Sequence, residues 1–287
     1  LSHSVKFGGF SAGIMVTASH NPPNDNGYKV YLGGDFGGSQ IISPIDRDIE
    51  AKISEVAATT TFAELPKSSE FTVGGDYLRE AYYESTLKLV SSHTFNNRLK
   101  VVYTAMHGVG LDTLNELLRR AEANIPVPVT EQVQPDGTFP TTPFPNPEEP
   151  GAMDLAFAKA RAVGADLIIA TDPDADRLAI GIPSAEGFVR LAGDEVGLIL
   201  AHELASRAGA RGVMANSIVS SSCLSRVAKA HNLKYQQTLT GFKWIMQVPE
   251  LLFGYEEALG YAVDPSHTPD KDGISAALLA LSIADRL

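Results

Sequence analysis

The feature of this 287-residue chain that most limits its fold is a regular alternation of short apolar runs with longer amphipathic stretches. Residues 99–104, 127–132, 166–171, 178–182, 212–218, 234–239 and 252–255 read as strands, and 111–123, 152–163, 194–207, 221–230 and 242–248 as helices. A strand that hands over to a helix before the next strand needs a crossover, which favours parallel pairing with helices on the sheet faces. Ahead of this region, 14–17 and 28–32 read as strands around the polar loop 18–27. Ser43-Pro44 then opens a helix with Ile45, Ile49, Ile53 and Val56 on one face. A Ser/Thr-rich connection over 58–70 leads to a helical pattern at 77–90, and 274–287 closes as a helix. The predicted fold is α/β, with three successive α/β units and mixed, mostly parallel sheets. The units are 1–74, 75–189 and 190–287, alike in style but without a residue-level repeat.

With 44% hydrophobic and 20% charged residues the chain can bury a core in each unit. No run of about 18 apolar residues occurs, so no spanning helix is predicted. The single cysteine, Cys223, excludes an internal disulfide and a cysteine-based zinc cluster, and it suits a reducing, cytoplasmic compartment. A net charge of −11 with no basic stripe argues against nucleic acid and anionic membranes as partners. A phosphate-bearing ligand must therefore be held by local chemistry. Oligomeric state is not legible. The chain starts at Leu1 without a basic-then-apolar leader and reads as an internal segment.

The loop 172–177 (D-P-D-A-D-R) directly follows the apolar run 167–170. Asp172, Asp174 and Asp176 alternate on a turn at the carboxyl end of a strand, so they can converge on one point. Two unit charges 4 Å apart interact by ~4 kcal/mol at an effective dielectric near 20, so three such carboxylates call for a hard divalent cation. A calcium hand is excluded, because its loop needs Gly at position six and Glu at position twelve, where Arg177 and Pro183 stand. The plain alternative is a surface turn whose carboxylates cap nearby amides.

Thr17-Ala18-Ser19-His20-Asn21-Pro22 also follows an apolar run, which makes the Ser19 hydroxyl a candidate nucleophile or phosphoryl carrier. His20 is adjacent, and neighbours in sequence usually point apart; no G-x-S-x-G elbow is present. Turn-building is the alternative role for this loop. Thr240-Gly241-Phe242-Lys243 opens a helix with backbone able to approach an anion, and 254–260 (G-Y-E-E-A-L-G) sets two acceptors between glycines. Each, seen alone, is equally readable as solvated surface. The loop 135–150 contains six prolines and reads either as functional or as a stiff surface connection.

Together, 17–28 (T-A-S-H-N-P-P-N-D-N-G-Y), 172–177, 240–243 and 254–260 resemble the α-D-phosphohexomutases, the phosphoglucomutase and phosphomannomutase family. The resemblance implies an isomerase that interconverts hexose 1-phosphate and hexose 6-phosphate, with glucose favoured and mannose or pentose phosphates possible substrates. Its cycle runs through a phosphoserine and a bisphosphate intermediate, with Mg2+ and a glucose 1,6-bisphosphate type of activator. It implies that Ser19 carries the phosphoryl group and Lys29 beside it takes part in proton transfer, and His20 joins them as a catalytic candidate. It implies that Asp172, Asp174 and Asp176 hold the metal with the phosphate of Ser19. Arg177, Thr240, Gly241, Lys243, Glu256 and Lys271 are the implied substrate contacts, and small sugar phosphates the implied partners. A phosphoserine contributes about −1.5 to −2, so the site needs cations, for which Arg177, Lys29 and Lys243 are candidates.

Two departures stand out. Ala258 replaces a serine found in many relatives, which points to the branch with phosphoglucomutases and phosphopentomutases. An early strand and the fourth, phosphate-gripping domain of the family have no counterpart in these residues. Alternatives are a magnesium-dependent phosphatase with an aspartyl nucleophile, which leaves Ser19 unexplained, and a non-catalytic module that binds sugar phosphate or metal.

Overall fold

The structure, a computed structural model, describes residues 1–185 and 187–287. The first unit comprises α1 (Ser2–Phe7), β1 (Ala12–Val16), β2 (Tyr28–Leu32), β3 (Ser39–Gln40) and α2 (Ile45–Thr59). The second comprises α3 (Asp76–Leu87), β4 (Val101–Thr104), α4 (Gly110–Arg120), β5 (Val127–Pro128), α5 (Asp154–Val163), β6 (Leu167–Ala170), β7 (Ala179–Ser184) and β8 (Gly187–Arg190). The third comprises α6 (Gly193–Ala205), β9 (Val213–Ser217), α7 (Leu224–Ala230), β10 (Lys234–Thr238), α8 (Phe242–Ile245), β11 (Leu251–Glu256), β12 (Gly260–Ala262) and α9 (Gly273–Arg286).

The expected mixed sheets are present, and their parallel pairs surround β4 and β9. β4 runs parallel to β5 and β6, and β9 to β10 and β11. β7 extends the second sheet antiparallel to β6, β8 pairs antiparallel with β7, and β12 pairs antiparallel with β11. The first sheet, β1-β2-β3, is antiparallel throughout, since the loop between β1 and β2 is too short for a crossover.

β4 and β6 are buried at every position, as strands covered on both faces must be. Asp272 starts α9 by accepting hydrogen bonds from the Ile274 and Ser275 amides, and the helix is buried from Gly273 to Ile283. Ala276, Ala277 and Ala280 keep it narrow enough to pack against α4, α6 and β12. One core therefore joins the second and third units through Tyr103, Ile168, Phe253, Tyr255 and Leu278. Each large apolar side chain so buried contributes about 1.5–3 kcal/mol, so packing fixes how the two units meet.

Several expectations need correction. The strand expected at 127–132 is only β5, because Pro126 and Pro128 cannot donate to a ladder, and the chain turns at Thr130–Gln132. Past the strand expected at 252–255 the chain folds back at 260–262 as β12, with Ala262 opposite Gly254 and Leu259 in the left-handed region at φ 65°. α1, β3 and β8 fall where no element was expected, being too short to show a period. α2 forms as expected, yet Ile53 and Val56 on its apolar stripe remain exposed. Among the described residues no helix is long and apolar enough to cross a membrane.

Candidate functional site

Beyond β6 the chain makes a tight turn, with the Ala175 amide donating to the Asp172 carbonyl at 2.9 Å and Ala175 itself at φ 59°. The turn gathers Asp172, Asp174 and Asp176, and one carboxylate oxygen from each lies within 4.8 Å of the others. Neighbouring segments brace it. The Val109 amide donates to the Pro173 carbonyl at 3.0 Å, and the Gly273 amide to the Ala175 carbonyl at 3.1 Å. Gly108 is required here, because a Cβ would sit 2.3 Å from Pro173 Cα and its carbonyl oxygen. The Arg177 amide donates to Asp172 Oδ1 at 3.0 Å, and its backbone bridges to Gly260 of the third unit.

The loop between β1 and β2 comes to meet this turn. The Ser19 amide donates to Thr17 Oγ1 at 2.8 Å, holding Ser19 at φ 54°, a left-handed conformation uncommon for serine. Thr17 Oγ1 in turn donates to Asp174 Oδ2 at 3.2 Å. The Ser19 hydroxyl thus lies 3.2 Å from both Asp172 Oδ2 and Asp174 Oδ1, residues 153 and 155 positions away. His20, expected to point elsewhere as a sequence neighbour, instead sets Nδ1 3.2 Å from Ser19 Oγ. Burial and then the charges of Arg177 and Lys271 hold its pKa down at about 4, so the ring is neutral near pH 7.

Two lysines balance the carboxylates. Lys29 Nζ donates to Asp174 Oδ2 at 2.9 Å and to Asp176 Oδ2 at 2.7 Å, and Lys271 pairs with the same Asp176 oxygen. Burial works against the lysine charge, but Asp176 and Asp174 overcome it and lift Lys29 above the ordinary lysine value. Burial would raise Asp176, yet Lys271 and Lys29 pull it below the usual carboxylate range. Asp172, fully buried and facing Asp176 and Asp174, is pushed well above that range. Asp176 Oδ1 is buried without a partner among the described residues. A compact all-oxygen donor set with one carboxylate oxygen left open fits a hard divalent cation.

The third unit supplies another wall. Glu256 Oε1 accepts from the Gly241 amide at 2.7 Å, and burial raises its pKa. Gly241, at φ 114°, ties the 240–243 turn to the end of β11. Glu257 is turned away, with Oε2 accepting from Ser217 at 3.1 Å and Ser220 at 2.6 Å. Thr240 is exposed in the same turn. Lys243, a candidate cation for this cluster, instead lies 3.9 Å from Asp46 and over the Trp244 ring, and Lys271 takes the place beside Asp176.

The sequence did not single out Thr17, although it stands in the serine loop, or the pair Tyr31 and Asp270. Tyr31 donates to Asp270 Oδ2 at 2.6 Å and so ties β2 to the segment carrying Lys271. Nothing local announces a contact across 239 positions.

Models of the phosphoglucomutase/phosphomannomutase alpha/beta/alpha domains match this chain, domain I over residues 1–60, domain II over 80–184 and domain III over 192–287. The chain is 49% identical over 289 residues to a Haemophilus influenzae protein described as "Probable phosphomannomutase", covering 100% of this chain and 59% of that protein. It is 36% identical to the phosphopentomutase of Mus musculus, over 96% of this chain and 48% of the relative. It is 34% identical to a phosphoglucomutase of Staphylococcus epidermidis, over 100% of this chain and 54% of the relative. The chain thus spans about half the length of the curated relatives it matches. A crystal structure of a phosphoglucomutase/phosphomannomutase family protein from Burkholderia thailandensis, 22% identical, superposes with a TM-score of 0.76 over 96% of this chain and 56% of that one, a likeness of fold alone. With three successive domain models matched in order over the units that build this cluster, the chain belongs to the phosphoglucomutase/phosphomannomutase family, the α-D-phosphohexomutases.

Proposed function

We propose that this chain carries the phosphoryl-transfer site of a phosphosugar mutase, with Ser19 as the carrier. The observation that supports this most directly is the Ser19 hydroxyl 3.2 Å from two members of the acidic triad. Asp172, Asp174 and Asp176 would hold Mg2+, which when bound supplies positive charge to the oxygens of the transferring phosphoryl group. Lys29, Lys271 and Arg177 add fixed cations around the same point.

In the transfer step the bond between phosphorus and Ser19 Oγ breaks as a bond to a sugar hydroxyl oxygen forms, and one proton passes overall from that hydroxyl to Ser19 Oγ. We assign Lys29, paired with Asp174 and Asp176, and His20, whose Nδ1 lies 3.2 Å from Ser19 Oγ, to that proton movement. We assign Glu256, Gly241, Thr240 and Lys243 to contacts with the sugar phosphate, with Glu256 and Gly241 already joined at the end of β11. Reversal of the step on the other end of a sugar bisphosphate would exchange 1- and 6-phosphates. Relatives named for mannose, pentose and glucose phosphates support the reading of the substrate as a sugar phosphate, and we assign glucose first, with a glucose 1,6-bisphosphate type of activator. The unit divisions 1–74, 75–189 and 190–287 and a cytoplasmic location belong to the same reading.

The test is to incubate the chain with Mg2+ and glucose 1,6-bisphosphate and to locate the transferred group by mass spectrometry. The expected result is a phosphoryl group on Ser19 that is absent from Ser19→Ala. A group on Asp172 in both proteins would replace the mutase reading with the phosphatase one.

A further inference from the structure

We infer that the proline-rich segment 135–150 is a wall of the phosphoryl-transfer site, in which Phe144 and Glu148 are positioning residues for His20 and Arg177. This rests on the mutase reading above. A stiff surface connection would leave the catalytic loops alone, whereas this segment reaches both of them.

The segment is fixed from beneath by polar contacts. Gln132, buried, accepts from the Thr104 hydroxyl at 2.6 Å and donates to Thr141 Oγ1 at 2.9 Å, and His107 Nε2 lies 2.8 Å from the same oxygen. Thr142 Oγ1 donates to the Phe144 carbonyl at 3.1 Å. Asn146, buried, accepts the Glu148 amide on its side chain at 3.1 Å and the Glu149 amide on its carbonyl at 2.9 Å. Pro145 and Pro147 are buried beside it, and with φ locked they give the segment few alternative shapes.

From that base the Phe144 ring meets His20 nearly edge to face, with centroids 6.2 Å apart and planes at 66°. The contact restricts the imidazole whose Nδ1 faces the Ser19 hydroxyl. Four residues on, Glu148 Oε2 lies 3.7 Å from Arg177 Nη1, with side-chain exposures of 31% and 14%. Arg177 directly follows Asp176, and a free guanidinium there would be drawn onto the acidic triad. Glu148 draws Nη1 away from the carboxylates, while Arg177 Nε stays buried with no partner among the described residues. An arginine held by one nitrogen, with its Nε edge open, is set to take a phosphate oxygen pair side-on.

The test follows Ser19 phosphorylation by glucose 1,6-bisphosphate, with Mg2+ present, as a function of bisphosphate concentration. Glu148→Gln is expected to raise the half-saturating concentration about threefold to fivefold, the effect of losing a partly buried ion pair at 3.7 Å, with the maximal rate less affected. Phe144→Leu is expected to lower the maximal rate with the half-saturating concentration near that of the wild type. In an Arg177→Lys background, Glu148→Gln should add nothing, and Glu148→Asp should recover part of the loss in the native background. Thermal midpoints near the wild-type value will confirm that the variants fold. Wild-type saturation in Glu148→Gln, or an undiminished effect of it in the Arg177→Lys background, would overturn the proposal. A wild type that takes up no phosphoryl group on Ser19 would overturn the mutase reading itself, and this one with it.

Discussion

Asp174→Asn separates a metal-binding triad from an acidic turn, because it removes one charge while keeping the side-chain shape. In the native site Asp174 offers Oδ1 to Ser19 and Oδ2 to Thr17 and Lys29. At an effective dielectric near 20, a unit charge and another 4 Å away interact by ~4 kcal/mol, so a divalent ion roughly doubles the gross attraction to each carboxylate. Most of this is offset by the cost of stripping water from ion and carboxylate, and the Asn carbonyl remains a weaker ligand. A net loss of about 2–3 kcal/mol remains, which is a weakening of about 30-fold to 150-fold at tenfold per 1.4 kcal/mol. The metal-free protein should respond differently. Asp172 is pushed up by burial and then by Asp176 and Asp174, so neutralising Asp174 relieves carboxylate repulsion. The same change costs Lys29 one of its two partners, and the opposing effects leave the metal-free thermal midpoint near that of the wild type. Calorimetric titration with Mg2+ and thermal melts with and without the ion measure both quantities. An unchanged affinity would refute the triad as ligands, and a collapse of the metal-free protein would show that Asp174 acts chiefly in folding.

Gly108→Ala should weaken Mg2+ binding without touching any ligand, since the added Cβ would press on Pro173 and shift the turn; unaltered affinity would show that the turn tolerates displacement. His20 in the metal-free, unphosphorylated protein should titrate near pH 4 rather than 6.5 when followed by proton NMR of its ring. Its folded pKa is depressed, so the unfolded chain binds the proton first; the stability tied to the neutral ring is complete above pH 6.5 and is lost as pH falls from 6.5 towards 4. A midpoint near 6.5 would mean that neither burial nor Arg177 and Lys271 act on the ring.

How much of the site was legible depended on whether its parts are local. Asp172, Asp174 and Asp176 announce themselves, because alternate carboxylates after a buried strand can turn to one side. Ser19 and Lys29 were recognisable through the pattern of the whole loop. Lys271 was visible only as a substrate contact, and its pairing with Asp176 appears once the third unit is folded against the second. Lys243 looked equally suitable in sequence, yet the helix that carries it turns it towards Asp46. The segment 135–150 showed its prolines and its length, but not the His20 and Arg177 side chains it meets.

The sequence by itself determined the alternation of elements and the strand ends at which chemistry could sit. Apolar periodicity and the residues that follow a strand are short-range properties, set by which side chains a single element must bury. Tertiary structure alone decided that Ser19 stands against Asp172 and Asp174, that two lysines share Asp176, and that 260–262 folds back as a strand. Those outcomes rest on close approaches such as Gly108 against Pro173 and on a core shared by the second and third units. Apart from the 260–262 hairpin, such contacts join residues far apart in the chain, up to 155 positions for Ser19 and Asp174, and no local pattern encodes their distance or their partner.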